Sequence, residues 1–282
     1  MQRFSNTWLI LRASWELLKK DKEMLIFSLL SGVCCLLVTA SFLLPWMTIE
    51  NGQMLSSYAG APPNRWELYV LLFLFYFCIY FVMMYFNAAI VACALIRMGG
   101  KDPTVADGLR VATARVPLLI GWALISATVG VLIRILEERS RLVGKIVAGM
   151  VGMAFTVASS MVIPILVVEK KDALTALKES TALLKETWGE QLISRAGFGL
   201  VFFVLSLPAF LLVFLGITSG ERPLMFSSLG LALVYLVVLS LAQSTLQGIF
   251  QAALYAYARH RMVPAGYDAE LLKKAMGPRF LS

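Results

Sequence analysis

Six runs of about 20 or more mostly apolar residues punctuate this chain of 282, and a helix of that length crosses a hydrocarbon layer roughly 30 Å thick. They fall at about 24–46, 67–96, 117–136, 145–168, 192–216 and 225–256. Only a helix or a closed barrel satisfies its own backbone inside lipid. A barrel would alternate polar and apolar residues in segments of about 10, and these runs are continuous. With 59% apolar and 15% charged residues and a mean hydropathy of +0.79, the chain has too little polar surface to clothe a soluble core. The sequence predicts an all-α, polytopic membrane helical bundle, residues 1–282 forming a single integral membrane domain. The first run starts after 23 residues and is too long for a signal-peptide core, so it reads as a retained span.

The charges set an orientation. Of the 25 Lys and Arg residues, 19 fall before the first run, in the second and fourth connections, and after the last run. The positive-inside rule then predicts both termini in the cytoplasm, with an even number of spans. The third connection runs against it, because Arg134, Arg139, Arg141 and Lys145 would face outward. Glu137 and Glu138 stand at helical spacing from Arg134 and can pair with it. An alternative has spans three and four as a shallow hairpin that does not cross fully.

Between the spans the inner segments are amphipathic. Residues 5–20, "SNTWLILRASWELLKK", set Trp8, Leu11, Trp15 and Leu18 on one helical face. Residues 172–188, "DALTALKESTALLKETW", do likewise with Leu174, Leu177, Thr181, Leu184 and Trp188. The middle example, "DPTVADGLRVATARVP", offers Asp102 as an N-cap and Pro103 to the first turn. Each precedes a pair of spans, so the chain reads as three pseudo-repeats, about 4–98, 102–168 and 172–262, followed by a cytoplasmic tail at 263–282. "FNAAIVACALIRM" at 86–98 matches "FQAALYAYARHRM" at 250–262 in seven of thirteen places, and sets Asn87 opposite Gln251 in the repeat. Both are expected to be hydrogen-bonding joints near the inner edge, between a span and a surface helix.

Chemistry is sparse. The runs hold no H-E-x-x-H, no G-x-S-x-G, no phosphate-binding glycine loop and no aspartate pair, and the acids sit at span edges. Cys34, Cys35, Cys78 and Cys93 lack metal or redox spacing, and His260 is the lone histidine. No catalytic residue, cofactor or metal is expected. Pro164 and Pro208 each sit inside a run and predict a kink. Gly144, Ala148, Gly152, Thr156 and Ser160 form a small-x-x-x-small stripe for close helix packing. Trp46 and Trp66 bracket the first outer loop as interface anchors, with Trp188 on the other side. The net charge of +8 is spread along span edges. It suits an anionic inner leaflet, and nucleic acid is not needed to explain it.

Three elements taken together, "FSNTWLILRASWELLKKDKEMLIFSLLSG", "FNAAIVACALIRMGGKDPTVADGLRVA" and "VIPILVVEKKDALTALKESTALLKETWG", resemble a family of uncharacterised six-pass bacterial inner-membrane proteins. The same architecture looks distantly like the membrane domain attached to some glycerophosphodiester phosphodiesterases, whose catalytic barrel this chain lacks. The resemblance implies a bacterial inner-membrane location and supplies no catalytic residues.

The leading expectation is a non-catalytic scaffold or accessory subunit whose cytoplasmic amphipathic helices meet membrane lipids and a partner in a membrane complex or a homo-oligomer. The alternative is a transporter or channel for a lipid-like or small apolar solute, with Pro164, Pro208, Asn87 and Gln251 along its path.

Overall fold

The structure is a computed structural model. It describes residues 2–44, 47–50, 53–56, 65–139, 143–185 and 188–260, with side chains described over 11–44, 66–138, 144–183 and 199–259. The side chains of Trp8, Trp46, Leu184 and Trp188, the basic end Arg261–Met262 and the tail at 263–282 lie outside these ranges.

The expected element order is present. An amphipathic helix α1 (Gln2–Lys20) leads into α2 (Met24–Leu43) and α3 (Arg65–Met98). Helix α4 (Val105–Ala114) leads into α5 (Val116–Arg139), α6 (Val143–Ala158) and α7 (Val162–Glu169). Helix α8 (Ala173–Lys185) leads into α9 (Trp188–Thr218) and α10 (Arg222–His260). Between α2 and α3 the chain adds a small antiparallel hairpin, β1 (Met47–Glu50) with β2 (Gln53–Ser56), in which Glu50 pairs with Gln53.

Six stretches are long and apolar enough to span a membrane: Met24–Leu43, Trp66–Met98, Val116–Glu138, Gly144–Glu169, Gly199–Thr218 and Arg222–Arg259. The chain is a multi-pass membrane protein with an all-α bundle. Two of these stretches overshoot a bilayer. At about 1.5 Å per residue, the 34 residues of α3 and the 39 of α10 are rods of roughly 51 and 58 Å. The fourth stretch is not one helix, since α6 stops at Ala158 and α7 restarts at Val162 after a turn.

The chain divides into two compact units. The first comprises Met1–Ser28, Cys93–Val105 and Leu183–Ser282. Here α9 and α10 form a long antiparallel hairpin, and α1 packs on both. Helix α10 is buried from Leu246 to Ala256, whereas its opposite end exposes Leu224, Phe226, Leu229, Leu233 and Val237. Ser28 and Thr245 share a buried hydroxyl–hydroxyl hydrogen bond of 2.7 Å that ties the start of α2 to α10. At the far end, a Cβ on Gly216 would stand 2.7 Å from the Cβ of Ser228, so only glycine lets α9 and α10 approach this closely.

The second unit comprises Leu29–Ala92 and Ala106–Ala182. The Tyr69 hydroxyl of α3 donates to Glu138 of α5 at 3.0 Å, and Gly130 of α5 makes room for Tyr76 and Tyr80. Trp122, only 2% exposed, stacks on Phe155 of α6 at 5.6 Å between ring centroids. Gly152 lies against Ile133, its absent Cβ falling 3.6 Å from the Ile133 Cδ1. Burial concentrates in Phe86–Ala92, Leu119–Ala127 and Met161–Val167. The apolar side chains near the opposite ends of these helices are exposed, as suits contact with acyl chains.

Candidate functional site

The amphipathic helices are seated differently from the pattern their large residues suggest. In α1 the buried face is Ala13, Ser14, Leu17 and Leu18, while Trp15 is 42% exposed with the Lys19 ammonium 5.9 Å from its ring centroid. In α4 the buried positions are Gly108 and Ala112. In α8 they are Ala173, Ala176 and Ser180, and Leu174 is 60% exposed. Small residues let α4 and α8 approach their unit closely, α1 adds Leu17 and Leu18 to its small residues, and the charged side chains of Arg12, Arg110 and Lys178 are turned outward. The expected faces are thus split: in α1 Leu18 is buried and Trp15 exposed, and in α8 Leu177 and Thr181 are half-buried and Leu174 exposed. Sequence periodicity marks an amphipathic helix without saying which of two apolar stripes packs on protein.

Asp102 and Pro103 were expected to open α4, and the helix instead starts at Val105. Asp102 belongs instead to a charge cluster in the first unit. The Arg97 guanidinium, at the end of α3, donates to both Asp21 and Asp102. Asp21 is 6% exposed and lies in the junction between α1 and α2, and Asp102 is 85% exposed. Arg97 thus fastens the α1–α2 corner to the end of α3, and the Asp102 carboxylate is engaged there rather than as a helix cap.

The repeated motif is visible as burial. Phe86, Ala88, Ala89, Ala92 and Ala94 are buried in α3, and so are Phe250, Ala252, Ala253 and Ala256 in α10. Within these stripes Asn87 and Gln251 are half-buried, and the side-chain oxygens of both are fully buried with no hydrogen-bond partner among the described residues. The two residues belong to different units, Asn87 to the second and Gln251 to the first.

The sequence profile of DUF6159, a family of unknown function, matches residues 67–264, well over half of the chain. The chain belongs to the DUF6159 family. The matched range takes in α4 to α10 and nearly all of α3, so Arg97, Asp102 and the repeated stripes lie inside the DUF6159 region, while α1, α2 and Asp21 precede it. No curated protein matches the chain.

The other predicted residues of the DUF6159 region are scattered. Gly144 and Ala148 are buried in α6 and Gly152 is half-buried against α5, whereas Thr156 of the same stripe is exposed. Pro208 lies inside α9 on an exposed face, next to fully buried Ala209. Trp188 opens α9. Pro164 is buried in α7, six residues past the end of α6.

A serine that sequence reasoning overlooked completes the break before Pro164. The Met161 N–H donates to the Ser180 hydroxyl at 3.1 Å, and that hydroxyl donates to the Ala158 carbonyl at 2.5 Å. Ser180 is fully buried. Its spacing after Ala173 and Ala176 was the available signal, because a serine on a stripe of alanines is placed to face protein. Beside it, the Lys171 ammonium bridges Glu169 at 2.6 Å and Glu179 at 2.5 Å. Those two acceptors, Glu169 first, hold its pKa above the usual lysine value. Asp172 accepts the Thr175 N–H at 3.1 Å, and its pKa is lowered chiefly by its hydrogen bonds to Thr175.

Proposed function

We propose that this DUF6159 protein is a non-catalytic integral membrane scaffold or accessory subunit of the bacterial inner membrane, with both termini in the cytoplasm. Its amphipathic helices meet the anionic inner leaflet and present a surface to a membrane partner or to further copies of the chain. The observation that carries the reading is the seating of α1, α4 and α8. Small residues, joined in α1 by Leu17 and Leu18, fix each helix to its unit, and Trp15, Arg12, Arg110, Leu174 and Lys178 are left outward. A rigidly held helix with an outward apolar and basic face loses little entropy on docking. The distant likeness to the membrane domain of glycerophosphodiester phosphodiesterases is part of this proposal at the level of architecture, not of activity.

The test is crosslinking in native membranes combined with native mass spectrometry of the lipid-extracted protein. A defined partner or oligomer is expected, reduced by Trp15→Ser with Leu174→Ser. A bare monomer with no crosslinked neighbour would remove the basis of the reading.

One observation favours a second reading, a transporter or channel for a lipid-like or small apolar solute. The fourth span is broken, Ser160 has a buried hydroxyl with no partner among the described residues, and the oxygens of Asn87 and Gln251 share that condition. Broken spans and buried polar atoms are where transporters hold their cargo. The double variant Asn87→Leu, Gln251→Leu separates the two readings. Lost liposome flux with intact folding supports transport, and altered stability or assembly supports an architectural joint.

A further inference from the structure

The break in the fourth apolar stretch is unusual in how it is satisfied. In a continuous helix, the Met161 N–H would bond the Val157 carbonyl and the Ala158 carbonyl would accept from Val162. Here the Val157 carbonyl accepts from Ser160 at 3.1 Å and the Val162 N–H goes to Ser159 at 3.2 Å. The two groups left over, the Met161 N–H and the Ala158 carbonyl, meet on one side chain, the Ser180 hydroxyl of α8. One group lies at the end of α6 and the other at the start of α7, so Ser180 spans the break. Pro164 adds to it, because it has no N–H to offer the Ser160 carbonyl.

Helix α8 is tied to α7 independently of this contact. Lys171 joins Glu169 at the end of α7 to Glu179 of α8, and Lys170 turns the corner in a left-handed conformation with φ 58°. Ala173, at the start of α8, also packs 3.7 Å from the Cβ position of Gly121 of α5. Helices α7 and α8 therefore form a stiff corner, and Ser180 couples that corner to α6.

We propose that α8 is a latch that holds the fourth span in its broken form, and that withdrawal of Ser180 lets the 157–162 segment re-pair as continuous helix. The two forms are alike in backbone pairing. Each pairs the backbone N–H groups of Ser160, Met161 and Val162, and they differ in whether the Ser180 hydroxyl is engaged or orphaned. An element with two packings of similar energy is a switch that a modest force on its edge can throw. The outward face of α8, with Leu174 exposed, is the edge on which such a force would act. The latch lies within one unit and stands whether or not the protein is a scaffold.

The experiment measures distances between spin labels carried by non-canonical amino acids at Met150 and Val168, which are 67% and 39% exposed, in the full chain in nanodiscs. Wild type is expected to give one distance population. Ser180→Ala is expected to add a second, corresponding to a straightened α6–α7, to at least about a tenth of the molecules, a shift of the size that losing one or two hydrogen bonds produces. Pro164→Ala keeps Ser180 and supplies the missing N–H to Ser160, and it should raise the same second population. This variant keeps the test open should Ser180→Ala fail to fold. Wild-type distributions in every variant that folds would overturn the latch, as would a second population shorter than the wild-type distance.

Discussion

Arg97 shows what a single side chain carries in this molecule. Its guanidinium neutralises Asp21, which is almost fully buried, and also reaches the exposed Asp102. Removing a partner from a buried acid costs far more than removing it from an exposed one, because the orphaned charge loses its solvation. Arg97→Leu is expected to lower stability by about 3 kcal/mol, and Asp102→Ala by less than about 1 kcal/mol, both read from denaturant titration in a fixed lipid–detergent mixture. At the α8 anchor, pH provides the test. Lys171 has a raised pKa, so its contribution is complete below the ordinary lysine value and fades as pH climbs through the raised one. Asp172 has a lowered pKa, so its contribution is complete above the ordinary aspartate value and fades as pH falls through the lowered one. The gap in melting midpoint between wild type and a Lys171→Met, Asp172→Asn variant should therefore be flat from roughly pH 5 to 9 and narrow at both extremes. The Arg97 cluster was not legible in the sequence, and for Ser180 only its inward position was, not its partners. Asp21, 76 positions from Arg97, and Ser180, 19 from Met161, announce themselves only once the chain has folded back.

At the scale of elements, glycine sets how closely helices pass. Gly216 has no room for a side chain beside Ser228, and Gly152 meets Ile133. Gly216→Leu should force the α9–α10 hairpin apart and cost about 1–3 kcal/mol, the range for overpacking. Gly149→Leu, on the same helix as Gly152 but with open space at its Cβ, serves as the neutral control in the same unfolding assay. The helices themselves were legible, since 20-residue apolar runs have one solution in lipid. Their interruptions were not. Pro164 predicts a kink, and the structure has a turn three residues earlier because Ser180 offers the freed groups another partner. The inward stripe of α8 was hidden for a related reason: alanine and serine carry little hydropathy, so a scan weighted toward Leu and Trp picks a face that includes the exposed Leu174.

For the whole molecule, the sequence established the class and the number of spans, while the arrangement of charge leaves a direct test of orientation. Lys101 and Glu221 are exposed and lie at opposite ends of the apolar stretches that flank them. With both termini cytoplasmic, a cysteine at Glu221 should react with an impermeant maleimide in intact cells, and one at Lys101 only after the membrane is opened. The reverse pattern would overturn the proposed topology.

The hairpin of α9 and α10 has one more consequence. Along Leu200–Ile217 and Leu224–Val238 most of its large side chains look outward, and burial is confined to points such as Phe202, Ala209 and Ala232, with close approach at Gly216. Acyl chains must supply the lateral pressure that a third helix would supply in a soluble protein. This hairpin should accordingly be the first part of the molecule to loosen when bilayer lipid is exchanged for short-chain detergent, well before the alanine-lined stretch from Leu246 to Ala256 lets go. The thickness and fluidity of the surrounding lipid then become part of what holds the fold together.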